Sequence, residues 1–591
     1  MSGRWRAEVG DQARARGPVT HNAEDLALLS SGSEPVTVVT GQHTRVASRA
    51  ERSSLFGRSA FVAGEAFVAV GAAVLSVQLS RSIEVDPLDR IGQVSGLAAL
   101  DLRFTVLGLL VLAACAAAAR GNRAAWSVVS RLACAAVAGL ATGLIAGGIL
   151  LALRGTDWPL FASWGDSGQL IRWADDVLAG RPIPAGYPPV VIHLIAWLSE
   201  LTDDSTARAL RVLQVGGTAV FGPIAYLSWR LLLGPAWALS VALVAALPLL
   251  EPYKPYTTVV LVVLVPVLIA FLRVLRRAGT LTWPRVVAVG VGTGAVLGAL
   301  FSVYSGWFVW SAPGALVATL FVFPWRTAAL RGLVLLVLTV TGLAAVAAPH
   351  LLGLLRAAGT VQDRYFYFDT FVDPAYITMW RNDLPGDTGP WPPPGELAGV
   401  GVFTFLLVIG LGLAVALAGR RTAVTTLCAL MAGAWVTRLS LASQMYATQS
   451  VQLYPRSSAE ILYCLLLLSI FAIYFGARRA ETLLGIPDRP ATIRTRGNGW
   501  GSPRASLRTV PGVAATIGTL CAALLLALSI GSSVVDRYLP RNDGSVGLLA
   551  YVAQMVRQAD GRCPDYSAPD GCAPSPAELL GPNARFDSTV R

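Results

Sequence analysis

Apolar residues along this chain neither alternate with period two nor keep to one helical face; they come in unbroken runs. Such runs occupy roughly 59–79, 104–119, 131–153, 209–229, 233–251, 256–274, 284–303, 307–324, 328–348, 398–418, 422–440, 459–476 and 511–531. Most are close to the ~20 residues an α-helix needs to cross the hydrocarbon of a bilayer. Backbone inside lipid has to satisfy its own hydrogen bonds, and a helix does so within one segment. The predicted fold class is an all-α polytopic membrane protein with about thirteen transmembrane helices, spread over 59–531.

The polar connections predict the orientation. Arg120, Arg123 and Arg131 flank one of them, and Arg273, Arg276, Arg277 and Arg285 another. Arg326 with Arg331, Arg420 with Arg421, and the basic loop 477–510 complete the set. Arginine gathers on the cytoplasmic side of short loops, so these connections are predicted inside, together with a disordered basic arm at 1–58. The segments 80–103, 154–208, 251–256, 349–397 and 441–458 then fall outside, as does the short tail 532–591. "VVIHLIAWL" at 190–198 is too short to span. Counting it as a crossing would also turn every later arginine cluster outward, so 154–208 is predicted to be one periplasmic loop carrying two interfacial helices. The loop 349–397 is long and rich in aromatic residues, which argues for a functional loop rather than disorder.

Composition agrees with a multi-pass protein of the plasma membrane. Of 591 residues 54% are hydrophobic and 14% charged, too few polar groups to cover a soluble fold of this size. The net charge of +12 lies in the connections between runs, so it reports topology and not a nucleic-acid partner. Five of the seven cysteines lie in or beside apolar runs, where they pack as small residues. Cys563 and Cys572 lie in the polar tail, where a disulfide is chemically permitted if the tail is outside. The four histidines are scattered and none neighbours a cysteine, so no metal site is predicted. No cofactor is expected; external carboxylates are able to hold a divalent cation, but no cluster has the spacing for it.

Candidate chemistry concentrates in "WGDSGQLIRWADD" at 164–176. Asp166 followed by Gln169 has a capping-box pattern that would open a helix. The same carboxylate, at a membrane surface, is placed to act as a general base toward a sugar hydroxyl. Arg172 stands three and four residues before Asp175 and Asp176, which predicts an ordinary helical ion pair for either, beside a supporting role toward an acceptor. Lys254, in "EPYKPY" next to Tyr253, is a rare lysine at the outer end of a run. With Arg438 and Arg456 it is a candidate for holding a lipid phosphate, against snorkelling or structural pairing. His193 on the short apolar segment, Tyr187 in the "GYPP" turn, and Trp380 and Trp391 in the aromatic loop are weaker acceptor-binding candidates.

An external loop after an early span, holding an aspartate, a "GYPP" turn and an interfacial helix, resembles the GT-C glycosyltransferases, polytopic enzymes that use polyprenyl-phosphate sugars. "WPPPGELAGVGVFTFLLVIGLGLAVALAGRRT" (391–422) and "RLSLASQMYATQSVQLYPRSSAEILYCLL" (438–466) look like the C-terminal half of the actinobacterial galactan 5-O-arabinofuranosyltransferases. The resemblance covers roughly 59–560. It implies a GT-C fold and transfer of the first arabinofuranosyl unit from decaprenylphosphoryl-arabinose to the galactan of arabinogalactan. It also implies an aspartate base, which falls on Asp166. The large C-terminal carbohydrate-binding domains of the related Emb-type enzymes have no counterpart here, so priming is expected rather than polymer extension. The rival expectations are another polyprenyl-phosphate-sugar GT-C enzyme, such as a mannosyltransferase, and a lipid-sugar transporter. The partners implied are the lipid donor, the galactan acceptor and membrane lipids.

Overall fold

The computed structural model describes residues 43–357, 402–449, 457–483, 511–543, 545–568 and 571–580. The chain divides into two units, Met1–Ala60 and Phe61–Arg591. The described residues form helices and turns, with an isolated bridge between Val556 and Ala573 as their β-type pairing. In order the helices are α1 (His43–Ser80), α2 (Arg90–Arg120), α3 (Arg123–Ala152), α4 (Gly165–Leu178), α5 (Pro189–Thr202) and α6 (Thr206–Arg230). There follow α7 (Pro235–Ser240), α8 (Pro255–Arg276), α9 (Trp283–Val303), α10 (Gly306–Val322) and α11 (Ala329–Ala357). The last are α12 (Val402–Ala418), α13 (Thr422–Thr448), α14 (Ser457–Leu483), α15 (Pro511–Tyr538), α16 (Leu548–Met555) and the short α17 (Pro576–Leu580). Ten helices among the described residues are long and apolar enough to cross a membrane, and the protein is accordingly a multi-pass helical membrane protein.

Helix α3 is the centre of this packing, with 89% of its apolar window buried. Its small residues permit that. A side chain on Gly139 would run into the Ala69 carbonyl, one on Gly143 would come within 2.7 Å of Ser76 Cβ, and one on Gly147 would meet the Ser80 hydroxyl. Glycine at four-residue spacing thus lets the backbones of α1 and α3 touch, the packing that apolar helices use where lipid offers no hydrophobic drive. On the other side the Thr142 hydroxyl donates 2.7 Å to the Ala219 carbonyl of α6.

The same three helices share a buried ionic knot. Glu65 of α1, 1% exposed, accepts from Arg131 Nε of α3 at 2.7 Å and from Arg230 Nε of α6 at 2.8 Å. The Tyr226 hydroxyl donates at 3.1 Å to the same Oε2 that Arg230 Nε holds. A carboxylate this dry is tolerable only because two guanidiniums and a phenol satisfy it.

Several expected boundaries shift. The segment 80–103 is helical over much of its length: α2 begins at Arg90, and its Asp101 accepts from Ser532 of α15 at 3.0 Å, so charge does not interrupt the helix. The expected run 233–251 is not one regular helix. It passes from α7 into a π-helical turn at Val241–Ala246 and a 3-10 turn at Leu247–Leu249, where Pro248 has no N–H to give. Helices α11 and α13 continue to Ala357 and Thr448, into what was expected to be external loop at 349–397 and 441–458. Polar side chains near the end of α13 are accommodated by bonding to its own carbonyls, as Ser443 does to Ser440 at 2.8 Å. Likewise 43–58, expected as disordered arm, is helical in α1, since "HTRVASRAER" is rich in helix-forming alanine and arginine. The rest of that arm and of the aromatic loop lies outside the described residues.

Glu65→Ala leaves two guanidiniums facing an apolar interface. It is expected to cost about 3–5 kcal/mol of stability, seen as a lowered melting temperature in detergent. An unchanged melting temperature would show that the knot is not structural.

Candidate functional site

The site is built where α3 ends, α4 begins and α8 begins. After α3 the chain turns back through Leu160, Phe161 and Ala162. Phe161 (φ 72°) and Ala162 (φ 45°) are held in the left-handed region, and Gly165 (φ 55°) follows. Non-glycine residues there cost of order 1–3 kcal/mol each and persist only when the surroundings over-determine them. The surroundings here are specific. Phe161 N–H donates 2.7 Å to the Leu549 carbonyl of α16, and the Ser167 hydroxyl donates 2.8 Å to the Leu160 carbonyl. Buried Gln214 of α6 accepts from Leu160 N–H at 2.9 Å and donates to the Tyr253 carbonyl at 3.1 Å, so one amide fixes both strands of the site.

This turn presents Asp166 in the first turn of α4, where the helix N-terminus favours a negative charge. Its carboxylate forms an ion pair with Lys254, the residue that precedes α8. Asp166 N–H donates 3.0 Å to the Tyr253 hydroxyl and Ser167 N–H donates 3.3 Å to the same oxygen. Burial raises the Tyr253 phenol above its ordinary range, so it stays protonated at physiological pH. The Lys254 ammonium lies 5.1 Å from the Tyr253 ring centroid, and the Phe161 ring meets the same ring edge-on. The side chain of Asp166 is 45% exposed and that of Lys254 17%, so the carboxylate is the accessible partner.

An aromatic wall stands beside the pair. The Tyr187 and Tyr256 hydroxyls are 2.9 Å apart, the rings of Tyr187 and Trp173 lie 4.6 Å apart, and Tyr304 and Trp307 continue the wall. Trp307 Nε1 donates 2.6 Å to the Thr257 carbonyl, tying α10 to the start of α8. One turn further along α10, the Ser311 hydroxyl donates 2.8 Å to Glu460 of α14.

Two expectations about the aspartates are overturned. Asp166 does not cap α4: the helix starts at the left-handed Gly165, two residues earlier than an Asp166 cap would allow, and the capping position is Trp164, without a side-chain hydrogen bond. Arg172 pairs with neither Asp175 nor Asp176; its Nε reaches back to the Gly168 carbonyl at 3.4 Å. Asp175 instead accepts from the Thr206 hydroxyl of α6 at 2.7 Å, and Asp176 pairs with Arg181 at 2.6 Å. Each found a partner beyond the helix, which i,i+4 spacing does not register.

The remaining candidates scatter. His193 is exposed on α5, whose solvent-side stripe also carries Val190, Leu194, Trp197, Glu200 and Leu201 and is mostly apolar. A helix apolar on this face as well as on its packed face suits a membrane interface. Arg438, expected at an outer helix end, is fully buried within α13, because α13 runs on past it, and donates to the Ser457 and Ser458 hydroxyls at 3.1 and 2.9 Å. Arg456, Trp380 and Trp391 lie outside the described residues.

The sequence reading missed the contribution of the tail. Gln554 donates to the Ala152 and Arg154 carbonyls at 3.0 and 2.8 Å, and Gln558 accepts from Asp157 N–H at 3.0 Å. Cys563 and Cys572 form a disulfide, with Cα atoms 5.8 Å apart, in the same tail. Four arginines at this end also went unremarked: Arg81, Arg154, Arg208 and Arg211 line a cavity of about 630 Å³ between α1, α3, α6 and the tail. Asp157, Asp204 and Glu84 partly balance them. That Arg81, Arg154 and Arg208 fall in or beside predicted external segments was the available signal.

No family model matches the chain, and no curated protein matches it.

Tyr253→Phe removes the acceptor that holds two N–H groups of the α4 start. Expected are a loss of about 1–3 kcal/mol and faster amide exchange at residues 166 and 167. Exchange equal to that of the unaltered protein would remove Tyr253 from the positioning of Asp166.

Proposed function

We propose that the protein is a membrane glycosyltransferase of the GT-C kind. In this reading it transfers an arabinofuranosyl unit, with inversion, from decaprenylphosphoryl-arabinose to galactan during arabinogalactan synthesis, on the periplasmic side of the plasma membrane. The observation that carries the reading is the ion pair of Asp166 and Lys254 at one end of an apolar helical bundle, beside a wall of tyrosine and tryptophan. The disulfide in the tail packed on the same loop supports an extracytoplasmic location for that end.

A lipid-linked sugar brings a phosphodiester anion to the bundle surface and a sugar to the aromatic wall. The phosphate competes with Asp166 for the Lys254 ammonium, which leaves the carboxylate free to take a proton. Asp166 then deprotonates the acceptor hydroxyl as its oxygen bonds to the anomeric carbon. The anomeric C–O bond to phosphate breaks on the opposite face, and the electron pair leaves on the polyprenyl phosphate, whose charge Lys254 neutralises. An oxocarbenium-like transition state also gains from a nearby carboxylate. Tyr187, packed against Trp173 on one face of α4 with Asp166, is available to position the acceptor.

The test is transfer by purified protein in lipid nanodiscs, with decaprenylphosphoryl-arabinose and a short galactofuranose acceptor. Polyprenyl-phosphate mannose serves as the competing donor, with and without chelator. Arabinosyl transfer is expected, and Asp166→Asn should lower its rate by about 10²–10⁴-fold with folding intact. Near-normal turnover by Asp166→Asn refutes the base assignment, and transfer of mannose alone refutes the donor.

A further inference from the structure

The opposite end of α8 carries a second charged cavity. Lys254 precedes the first residue of this 22-residue helix and Arg273, Arg276 and Arg277 cluster at its last turn, roughly 33 Å away at about 1.5 Å per residue. There a cavity of about 1080 Å³ opens between the end of α8, the link from α12 to α13, and α14. Arg273, Arg276 and Arg277 line it from one side, and Arg420 and Arg421 from the other. Its third wall is aromatic and apolar, with Phe471 and Phe475 of α14 stacked at 5.9 Å.

Arginine in loops at one end of a bundle is ordinary, and last-turn arginines also complement the dipole of α8. Neither effect brings five guanidiniums from two separate connections around one cavity. Arg276 and Arg420 are 144 positions apart in sequence, yet Arg276 Nη1 donates 3.1 Å to the Arg420 carbonyl. Among the described residues none of the five has a carboxylate within ion-pair distance. The knot at Glu65 shows the contrasting solution, in which partly buried guanidiniums are given an acid. Converging like charges with no internal counter-charge are stabilised by an anion, and a guanidinium fork matches phosphate oxygens in geometry as well as charge.

We propose that this cavity is a phosphate-binding site occupied by the headgroup of an anionic phospholipid. The mixed lining favours lipid over a freely soluble phosphate compound. Guanidiniums face the headgroup, and the apolar wall, with Val415 and Leu417 of α12 exposed at its edge, continues toward the acyl region. Basic pockets between helix ends recognise anionic headgroups by this division. The proposal is independent of the chemistry at Asp166.

The test reads lipid retention. Protein exchanged into an equimolar mixture of phosphatidylglycerol and phosphatidylcholine is delipidated with detergent, and the retained lipid is counted by native mass spectrometry. Preferential retention of phosphatidylglycerol is expected, falling about ten- to a hundredfold in the triple variant Arg273→Gln, Arg277→Gln, Arg421→Gln. Arg120→Gln with Arg123→Gln, basic residues at the same end but outside the cavity, should retain lipid normally. Should the triple variant fail to fold, Arg421→Gln alone, an exposed side chain, carries the same comparison with a smaller loss. Equal retention by cavity and control variants overturns the site. Inorganic pyrophosphate binding tightly to protein that shows no preference between the two lipids overturns the lipid assignment in favour of a soluble phosphate ester.

Discussion

A carboxylate and an ammonium brought together at the end of an apolar bundle each give up part of their hydration, and the exchange is favourable only if their geometry is fixed in advance. Asp166 and Lys254 meet that condition through the backbone around them. Tyr253 bonds the peptide groups of Asp166 and Ser167, Gln214 joins the Leu160 peptide to that of Tyr253, and Leu549 holds Phe161 in its left-handed turn. The pair therefore depends on α4, α6, α8 and α16 at once. Asymmetric exposure gives it a use beyond stability: the ammonium is mostly covered, while the carboxylate keeps a face toward solvent.

The helices below have a simpler task. Glycines let α1 lie against α3, the Glu65 knot partly neutralises two arginines at that packing, and the resulting core gives the site loop a rigid floor. The tail reaches the same loop from the far end of the sequence. Gln554 and Gln558 satisfy carbonyl and amide groups of the 152–157 segment, which no helix would otherwise pair.

Much of this was legible in residue order, because crossing lipid imposes length and hydrophobicity that survive without any knowledge of neighbours. The apolar runs at 209–229 and 256–274 correspond to α6 and α8 within a few residues, and the run at 131–153 ends with α3, which starts earlier at Arg123. Asp166 and Lys254 were both singled out, the one as a carboxylate in an external loop and the other as a cation at a run end, yet as separate candidates for separate partners. Their contact joins positions 88 apart, and local spacing carries no information about it. The same limit explains the rest. Arg172 looked like the partner of Asp175 because helical neighbours are all that periodicity shows, whereas Thr206 comes from another helix. Arg438 looked exposed because polarity marks the end of an apolar run, not the end of a helix. The break in 233–251 had a local cause in Pro248, which hydropathy averages away.

The central claim is that the pair at the bundle end carries chemistry and not only structure. Exchanging the two residues, Asp166→Lys together with Lys254→Asp, separates these roles. The double variant should recover the melting temperature lost in either single variant, since the ion pair is kept. It should leave glycosyl transfer at the level of Asp166→Asn, since the carboxylate has moved from the accessible position to the covered one. A double variant that recovers both stability and transfer would contradict the account and leave the pair as a structural contact.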